Sequence, residues 1–287
     1  MKILLAVDGS DQSYEAARTL GHLTPAESLI VLHAVNVPEP AYPMMMPEVS
    51  QELYTTVERA MKEDGQRLLD RTVSILPFNT GAPAKRMEVG HPADVILAVV
   101  EAERVGLIVL GARGLGPVQE VLLGSVSHRI IAQAPCSTLV VNRPMKELRT
   151  VLLPVEGQAD AEKAEKFLAA KPFKEPVTVN VLTILPFAAP LWPVGISDSE
   201  ALKEKAIASA RDFVDGIAAK LAKQGYKASG SVTLGDPGHA IIGWAGSTKP
   251  DLILMGSRGR AGATRFLLGS ASHTVLHRAP CPVLIFR

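Results

Sequence analysis

The sequence predicts two tandem doubly wound α/β domains, each a mostly parallel sheet covered by helices on both faces. Three observations carry that expectation. A chain of 287 residues, with 47% apolar and 21% charged positions, has material for two ordinary cores. The chain repeats itself once along its whole length. Within each copy, short apolar runs alternate with longer amphipathic stretches, the pattern of strands joined by crossover helices.

The repeat is clearest in GARGLGPVQEVLLGSVSHRIIAQAPCSTLVVN at Gly111–Asn142 and GSRGRAGATRFLLGSASHTVLHRAPCPVLIFR at Gly256–Arg287, two segments 145 positions apart. The same offset carries Gly90 to Gly235 and Pro92 to Pro237, while the leading apolar runs Ile3–Val7 and Val151–Val155 stand 148 positions apart. A period this long is a domain duplication. The boundary falls near Arg143–Leu148, giving domains at 1–143 and 149–287.

In the first copy Ile3–Val7, Ser28–Val35, Lys85–Val89, Leu107–Leu110 and Thr138–Val141 read as strands, nearly continuous in Val, Ile and Leu as doubly covered strands must be. Asp11–Gly21, Pro47–Leu76, Pro92–Glu103 and Gly124–Ala132 read as the helices between and after them. In the second copy the strands are Val151–Val155, Val177–Leu185, Lys227–Thr233, Leu252–Met255 and Val283–Phe286. Its helices are expected near Ala159–Ala170, Asp198–Gln224, Pro237–Gly246 and Gly269–Leu276.

Charge and composition exclude several functions. With 30 basic against 29 acidic side chains, no bulk field exists to hold nucleic acid or anionic lipid, so an anion needs a local site. No apolar run reaches the roughly 18 residues of a membrane span, and MKILLAVDGS meets turn-forming residues too early for a secretion signal; a cytoplasmic protein is expected. The two cysteines, Cys136 and Cys281, share an Ala-Pro-Cys context without zinc-type spacing. They read as small buried hydrophobes in equivalent core strands, and no metal site is expected.

Ligands of such sheets sit beyond the carboxyl ends of the strands, where strand order reverses. There the first copy has Gly111-Ala-Arg-Gly114, nine residues, then Gly124-Ser125 opening a helix; the second repeats it as Gly256-Ser-Arg-Gly259, nine residues, and Gly269-Ser270. Glycines let backbone amides approach a polyphosphate, and a helix N-terminus adds donors and a favourable dipole, about 0.3–1 kcal/mol. At the end of the first strand Asp8 offers a carboxylate to a ribose hydroxyl or an adenine amine. The plainer reading of Asp8 is an Asx turn ahead of the helix from Asp11.

This spacing of glycines and serine, with an aspartate after the first strand, resembles the ATP-binding universal stress protein family, twice over and along essentially the whole chain. The resemblance implies a Rossmann-like sheet of order 3-2-1-4-5 in each copy, with ATP between Asp8 and Gly111. It implies that Asp8 and the Ala34 backbone hold base and ribose, and that Gly111, Gly114, Gly124, Ser125 and Val126 hold the phosphates; Arg113 belongs to the same loop. It also suggests that the last strands of the copies, Ser137–Val141 and Val283–Phe286, pair as an intramolecular pseudo-dimer, with a homodimer of whole chains open.

The second copy departs from the pattern: VLLPVEGQ places Glu156 where aspartate stands in the first. Its candidate site is Glu156, Ile184, Gly256, Arg258, Gly259, Gly269, Ser270 and Ala271. Its loop is the more basic, with Arg258, Arg260 and Arg265 against Arg113 and Glu120, yet exposed loop arginines are usually just solvated. The first copy is therefore expected to bind ATP and the second to be weakened.

The leading functional expectation is a nucleotide-dependent regulator with slow or no hydrolysis. Fast phosphoryl transfer needs a Walker-type lysine, carboxylates for magnesium and a positioned base, and no such pattern occurs, although Asp8 could help hold Mg2+. Alternatives are a nucleotide-free interaction scaffold and an adenylyl-transfer or ATP-pyrophosphatase enzyme. The latter lacks its paired-glycine first loop and any His-x-Gly-His element. His128 and His273, one turn into equivalent helices, are read as capping or packing residues, and Glu101 with Glu103 as a solvated helix end. The proline-rich stretches Val37–Pro47, with Met44, Met45 and Met46, and Pro186–Ile196, with Trp192, read as ordinary loops on the ligand side.

Overall fold

The computed structural model describes residues 1–38, 47–77, 82–114, 123–186, 199–257 and 268–287. It comprises two compact units, one of Met1–Gly21 with Pro25–Pro144, the other of His22–Thr24 with Met145–Arg287. Both are parallel sheets clothed by helices. The methionine run and Trp192 lie outside the described residues.

In the first unit the strands are β1 (Lys2–Ala6), β2 (Ser28–Val35), β3 (Ala84–Val89), β4 (Leu107–Gly111) and β5 (Ser137–Val141). They pair in parallel in the order β3-β2-β1-β4-β5, with Lys2 opposite Ser28, Ile3 opposite Leu107, Ile30 opposite Ala84 and Leu107 opposite Ser137. The helices are α1 (Asp11–Thr19), α2 (Pro47–Ser74), α3 (Pro92–Glu103) and α4 (Ser125–Gln133). Side chains alternate across the sheet. Leu4, Ala6, Ile30, Leu32, Ile108 and Leu110 thus share one face and pack on Ile96, Val99, Val100 and Ile130 of α3 and α4.

The second unit repeats the topology with β6 (Thr150–Pro154), β7 (Thr178–Leu185), β8 (Lys227–Leu234), β9 (Leu252–Gly256) and β10 (Val283–Phe286). Their order is β8-β7-β6-β9-β10, again all parallel. Its helices are α5 (Gln158–Ala169), α6 (Ser199–Lys223), α7 (Pro237–Thr248) and α8 (Ser270–Arg278). In each unit the first and fourth strands are neighbours, so the crevice at their carboxyl ends is the switch point.

Local chemistry sets the helix ends. Ser10 caps α1, its hydroxyl accepting from the Ser13 amide at 3.2 Å. Pro92 and Pro237 stand at the first turn of α3 and α7, where a missing N–H costs nothing. These two helices end on left-handed residues that are not glycine, Arg104 (φ 53°) and Lys249 (φ 48°). Gly124 and Gly269, expected as first helical residues, are extended N-caps instead, with φ near −70° and −64°.

Close packing of the long helices on their sheets uses a glycine on opposite partners in the two units. A Cβ at Gly65 of α2 would lie 2.8 Å from Met87 Sδ and 2.9 Å from His33 Cδ2, whereas one at Gly230 of β8 would lie 3.0 Å from the Val214 carbonyl carbon of α6. Edge strand β3 is protected by charge: Arg86 pairs with Glu88 at 2.8 Å and with Glu103 at 3.0 Å. Glu103 is therefore an ion-pair partner, while Glu101 is exposed as expected. The cysteines also differ from expectation, since Cys136 is half-buried just before β5 and Cys281 is buried two residues ahead of β10, neither inside a strand.

Candidate functional site

A cavity of about 490 Å³ opens at the carboxyl ends of β1 and β4, and its lining includes Asp8, Ala34, Gly111, Arg113, Gly114, Gly124, Ser125 and Val126. All eight first-copy candidates thus meet around one space. Its walls differ in character. Leu32, Ile96, Leu110, Ile130 and Pro92 supply an apolar slot, and the glycine turns with the start of α4 supply a polar end. His128, exposed and one turn into α4, is not part of the lining.

Asp8 makes the Asx turn and lines the cavity at once. Its Oδ1 accepts from the Ser10 amide at 3.0 Å and the Ser10 hydroxyl at 2.6 Å, which fixes the plane of the carboxylate. Its Oδ2 sits so close to Gly114 that a Cβ there would lie 2.1 Å from it. Glycine at 114 is what lets the carboxylate and the loop approach. Beside it, His33 Nδ1 meets the Val7 carbonyl at 2.9 Å and ties the end of β1 to β2, where Ala34 follows.

Hydrogen bonds within the chain hold the turn after β4. The Ala112 amide donates to the Val141 carbonyl at 2.9 Å, and the Gly124 amide to the Ala112 carbonyl at 2.7 Å, which closes the base of the nine-residue loop. The Arg113 amide donates to Gln12 Oε1 at 2.6 Å, and the Ser127 hydroxyl to the Gly111 carbonyl at 2.9 Å. The amides of Gly124 and Arg113 are therefore committed within the chain. The first intrahelical bond of α4 runs from the His128 amide to the Gly124 carbonyl, so the N–H groups of Ser125, Val126 and Ser127 have no acceptor within their own helix. These, more than the glycine amides, are the donors the site offers to an anion.

Gly111 and Gly124 are glycine for different reasons. A Cβ at Gly111 would lie 2.9 Å from the Gln12 carbonyl carbon and 3.0 Å from the Ser13 nitrogen, backbone atoms that cannot step aside. At Gly124 the nearest atom among the described residues is Ala112 O at 3.4 Å and φ is an ordinary −70°, so these residues tolerate a side chain there. What a methyl group would take is space on the cavity wall.

The second unit keeps the frame and differs at the positions equivalent to the cavity's. The Gly269 amide donates to the Ser257 carbonyl at 3.0 Å, the Ser272 hydroxyl to the Gly256 carbonyl at 3.0 Å, and the Thr183 hydroxyl to the Val155 carbonyl at 2.8 Å in the place His33 fills in the first unit. Of the second-copy candidates, Glu156 and Ser270 are exposed, Ile184, Gly269 and Ala271 half-buried and Gly256 buried; Arg258 and Gly259, like Arg260 and Arg265, lie outside the described residues. Ile184 stands where the first copy has Ala34, and Asp160 where it has Gln12. Asp160 is raised to about 6, first by burial and then by the Glu156 charge, against a weak hydrogen bond from the Glu156 amide at 3.4 Å. A Cβ at Gly256 would lie 2.3 Å from its Oδ1.

Gln12, Asp160 and the serine pair Ser127 and Ser272 are site-building residues that the sequence does not single out. The serines had a signal, since both stand in Gly-Ser-x-Ser-His at the repeat offset. Gln12 and Asp160 had none, because they differ between copies and act through backbone geometry.

The universal stress protein family model matches the chain twice, over residues 1–142 and 147–287. The chain belongs to the universal stress protein family. A universal stress protein of Thermus aquaticus is 36% identical over 143 residues, 48% of this chain and 96% of that one. One from Mycobacterium bovis is 28% identical over 303 residues, covering 99% of this chain and 96% of its own length. A solved universal stress protein from Archaeoglobus fulgidus, 20% identical with a TM-score of 0.62, covers 100% of this chain and 96% of that one, a likeness of fold. The chain is thus a tandem universal stress protein with two α/β domains. Among the described residues no helix is long and apolar enough to cross a membrane.

Proposed function

We propose that the first domain binds an adenine nucleotide, ATP above all, and that this tandem universal stress protein acts in the cytoplasm as a nucleotide-dependent regulator. The observation that carries the reading is the cradle itself. One cavity of about 490 Å³ joins an apolar slot, the Asp8 carboxylate and the open amides of the α4 N-terminus, and Gly124 adds no side chain to its wall.

The residues fit the ligand by their chemistry. Leu32, Ile96 and Ile130 would flank a flat base, Asp8 would accept from a sugar hydroxyl, and Ser125 and Val126 would donate to phosphate oxygens; Asp8 is also the carboxylate that would help hold Mg2+. Bound ATP supplies a ligand whose presence or hydrolysis changes the stability of the domain. The second domain is read as a weakened site, because Ile184 narrows the place of Ala34 and two carboxylates, Glu156 and Asp160, replace one.

Titration of the full chain tests this. ATP at a hundredfold excess over Kd is expected to stabilise the first domain by roughly 2.7 kcal/mol. Asp8→Ala is expected to abolish the shift and Glu156→Ala to leave it. No shift in the wild-type protein, or a shift lost only on changing Glu156, overturns the reading.

A further inference from the structure

We infer that Gln12 is a positioning residue for the site, holding the Arg113–Gly114 turn in the shape that keeps the α4 amides open to phosphate; this rests on the nucleotide reading above. Gln12 lies in the first turn of α1 and crosses to two other elements. Its Oε1 accepts from the Arg113 amide at 2.6 Å, and its Nε2 reaches the Asn142 carbonyl at the end of β5 over 3.4 Å. Arg113 N–H can only donate, so the side-chain oxygen must face it. The Ser10 hydroxyl oxygen lies 3.3 Å from the carbonyl of the same Arg113 but gives its single proton to Asp8 Oδ1 at 2.6 Å, so the firm hold on this residue's backbone is the one from Gln12.

This grip depends on Gly111, where a Cβ would collide with the Gln12 backbone at 2.9 Å and push α1 away. It also depends on an amide side chain. A neutral donor-acceptor satisfies an N–H and a carbonyl together beside an anion site, which a carboxylate cannot do. The second unit makes the contrast internally: at the same place Asp160 turns its carboxyl toward Gly256 and takes the Glu156 amide at 3.4 Å. Gln12 touches no ligand in this scheme. Its effect falls on the phosphate end and leaves the base slot alone.

The test compares ATP with adenosine by calorimetry on the full chain, together with hydrogen exchange at the Arg113 amide. Gln12→Met, equal in length but without polar atoms, is expected to weaken ATP about tenfold while adenosine stays within about twofold, and to speed exchange at Arg113. Gln12→Glu keeps an acceptor for that amide and is expected to preserve its slow exchange, which guards against a variant that merely misfolds. Equal weakening of ATP and adenosine, or no weakening of either, overturns the inference. A wild-type protein that binds neither ligand instead removes the nucleotide reading on which it stands.

Discussion

Replacing Asp160 by asparagine should stabilise the second domain at neutral pH. Burial, with the nearby Glu156 charge, raises this carboxyl from 3.8 to about 6. Because the folded value lies above the unfolded one, folding favours the protonated acid: its stabilising contribution is fully present below about pH 4 and is lost as pH rises through 6. A rise of that size corresponds to about 3 kcal/mol at pH 7.5, an upper bound for a group that keeps some contact with water. The Asp160→Asn side chain carries no charge to desolvate and retains an oxygen for the Glu156 amide. Both tryptophans, Trp192 and Trp244, fall within Met145–Arg287, so intrinsic fluorescence during urea unfolding follows this domain selectively. The stability gap between Asp160→Asn and wild type is expected to open from near zero at pH 4 to about 2–3 kcal/mol at pH 7.5. A gap that does not change with pH, or an Asp160 carboxyl that titrates near 4 by NMR, refutes the reasoning.

Three further outcomes are expected. Gly111→Ala should destabilise the first domain by about 1–3 kcal/mol in urea melts, because its Cβ meets the backbone of Gln12 and Ser13. Gly124→Ala should leave the same melt unchanged yet weaken ATP about tenfold by calorimetry, since its Cβ meets no atom of the described residues closer than 3.4 Å and stands on the cavity wall. Arg104→Gly and Lys249→Gly should each raise the stability of their own domain by roughly 0.5–1 kcal/mol, relieving a left-handed residue at a helix end, as differential scanning calorimetry would show.

The sequence made the architecture legible because duplication supplied two independent readings of every element. Alternating apolar runs locate the strands of the described residues to within a residue or two, and the switch-point rule locates the crevice. Other features were hidden for physical reasons. That Gly124 and Arg113 turn their amides inward, to Ala112 and Gln12, is a matter of backbone direction, which residue type does not encode. The burial of Asp160 follows from how α5 closes on Gly256, a packing result that a polar residue early in an amphipathic helix does not announce. Glu103 looked like a solvated helix end because its partner Arg86 lies in a strand seventeen residues earlier, beyond helical spacing.

Comparison of the two copies separates what the loop glycines do for the fold from what they do for a ligand. In both, the fourth strand ends on a glycine against the first helix, a serine hydroxyl returns to that glycine's carbonyl, and the N-cap glycine closes the loop with its own amide. These bonds are made within the chain itself, so the doubled glycine pattern by itself reports an architecture. Other positions vary independently of this frame: alanine against isoleucine at the end of the second strand, aspartate against glutamate after the first, glutamine against aspartate at the start of the first helix. The proposed difference between the domains follows this split: the second retains the first set and differs in the second. Combining Glu156→Asp, Ile184→Ala and Asp160→Gln, without touching the loop, is therefore the change that should bring ATP binding to the second domain, read by calorimetry in an Asp8→Ala background; a combined variant that stays inert would place the determinant in the loop after all.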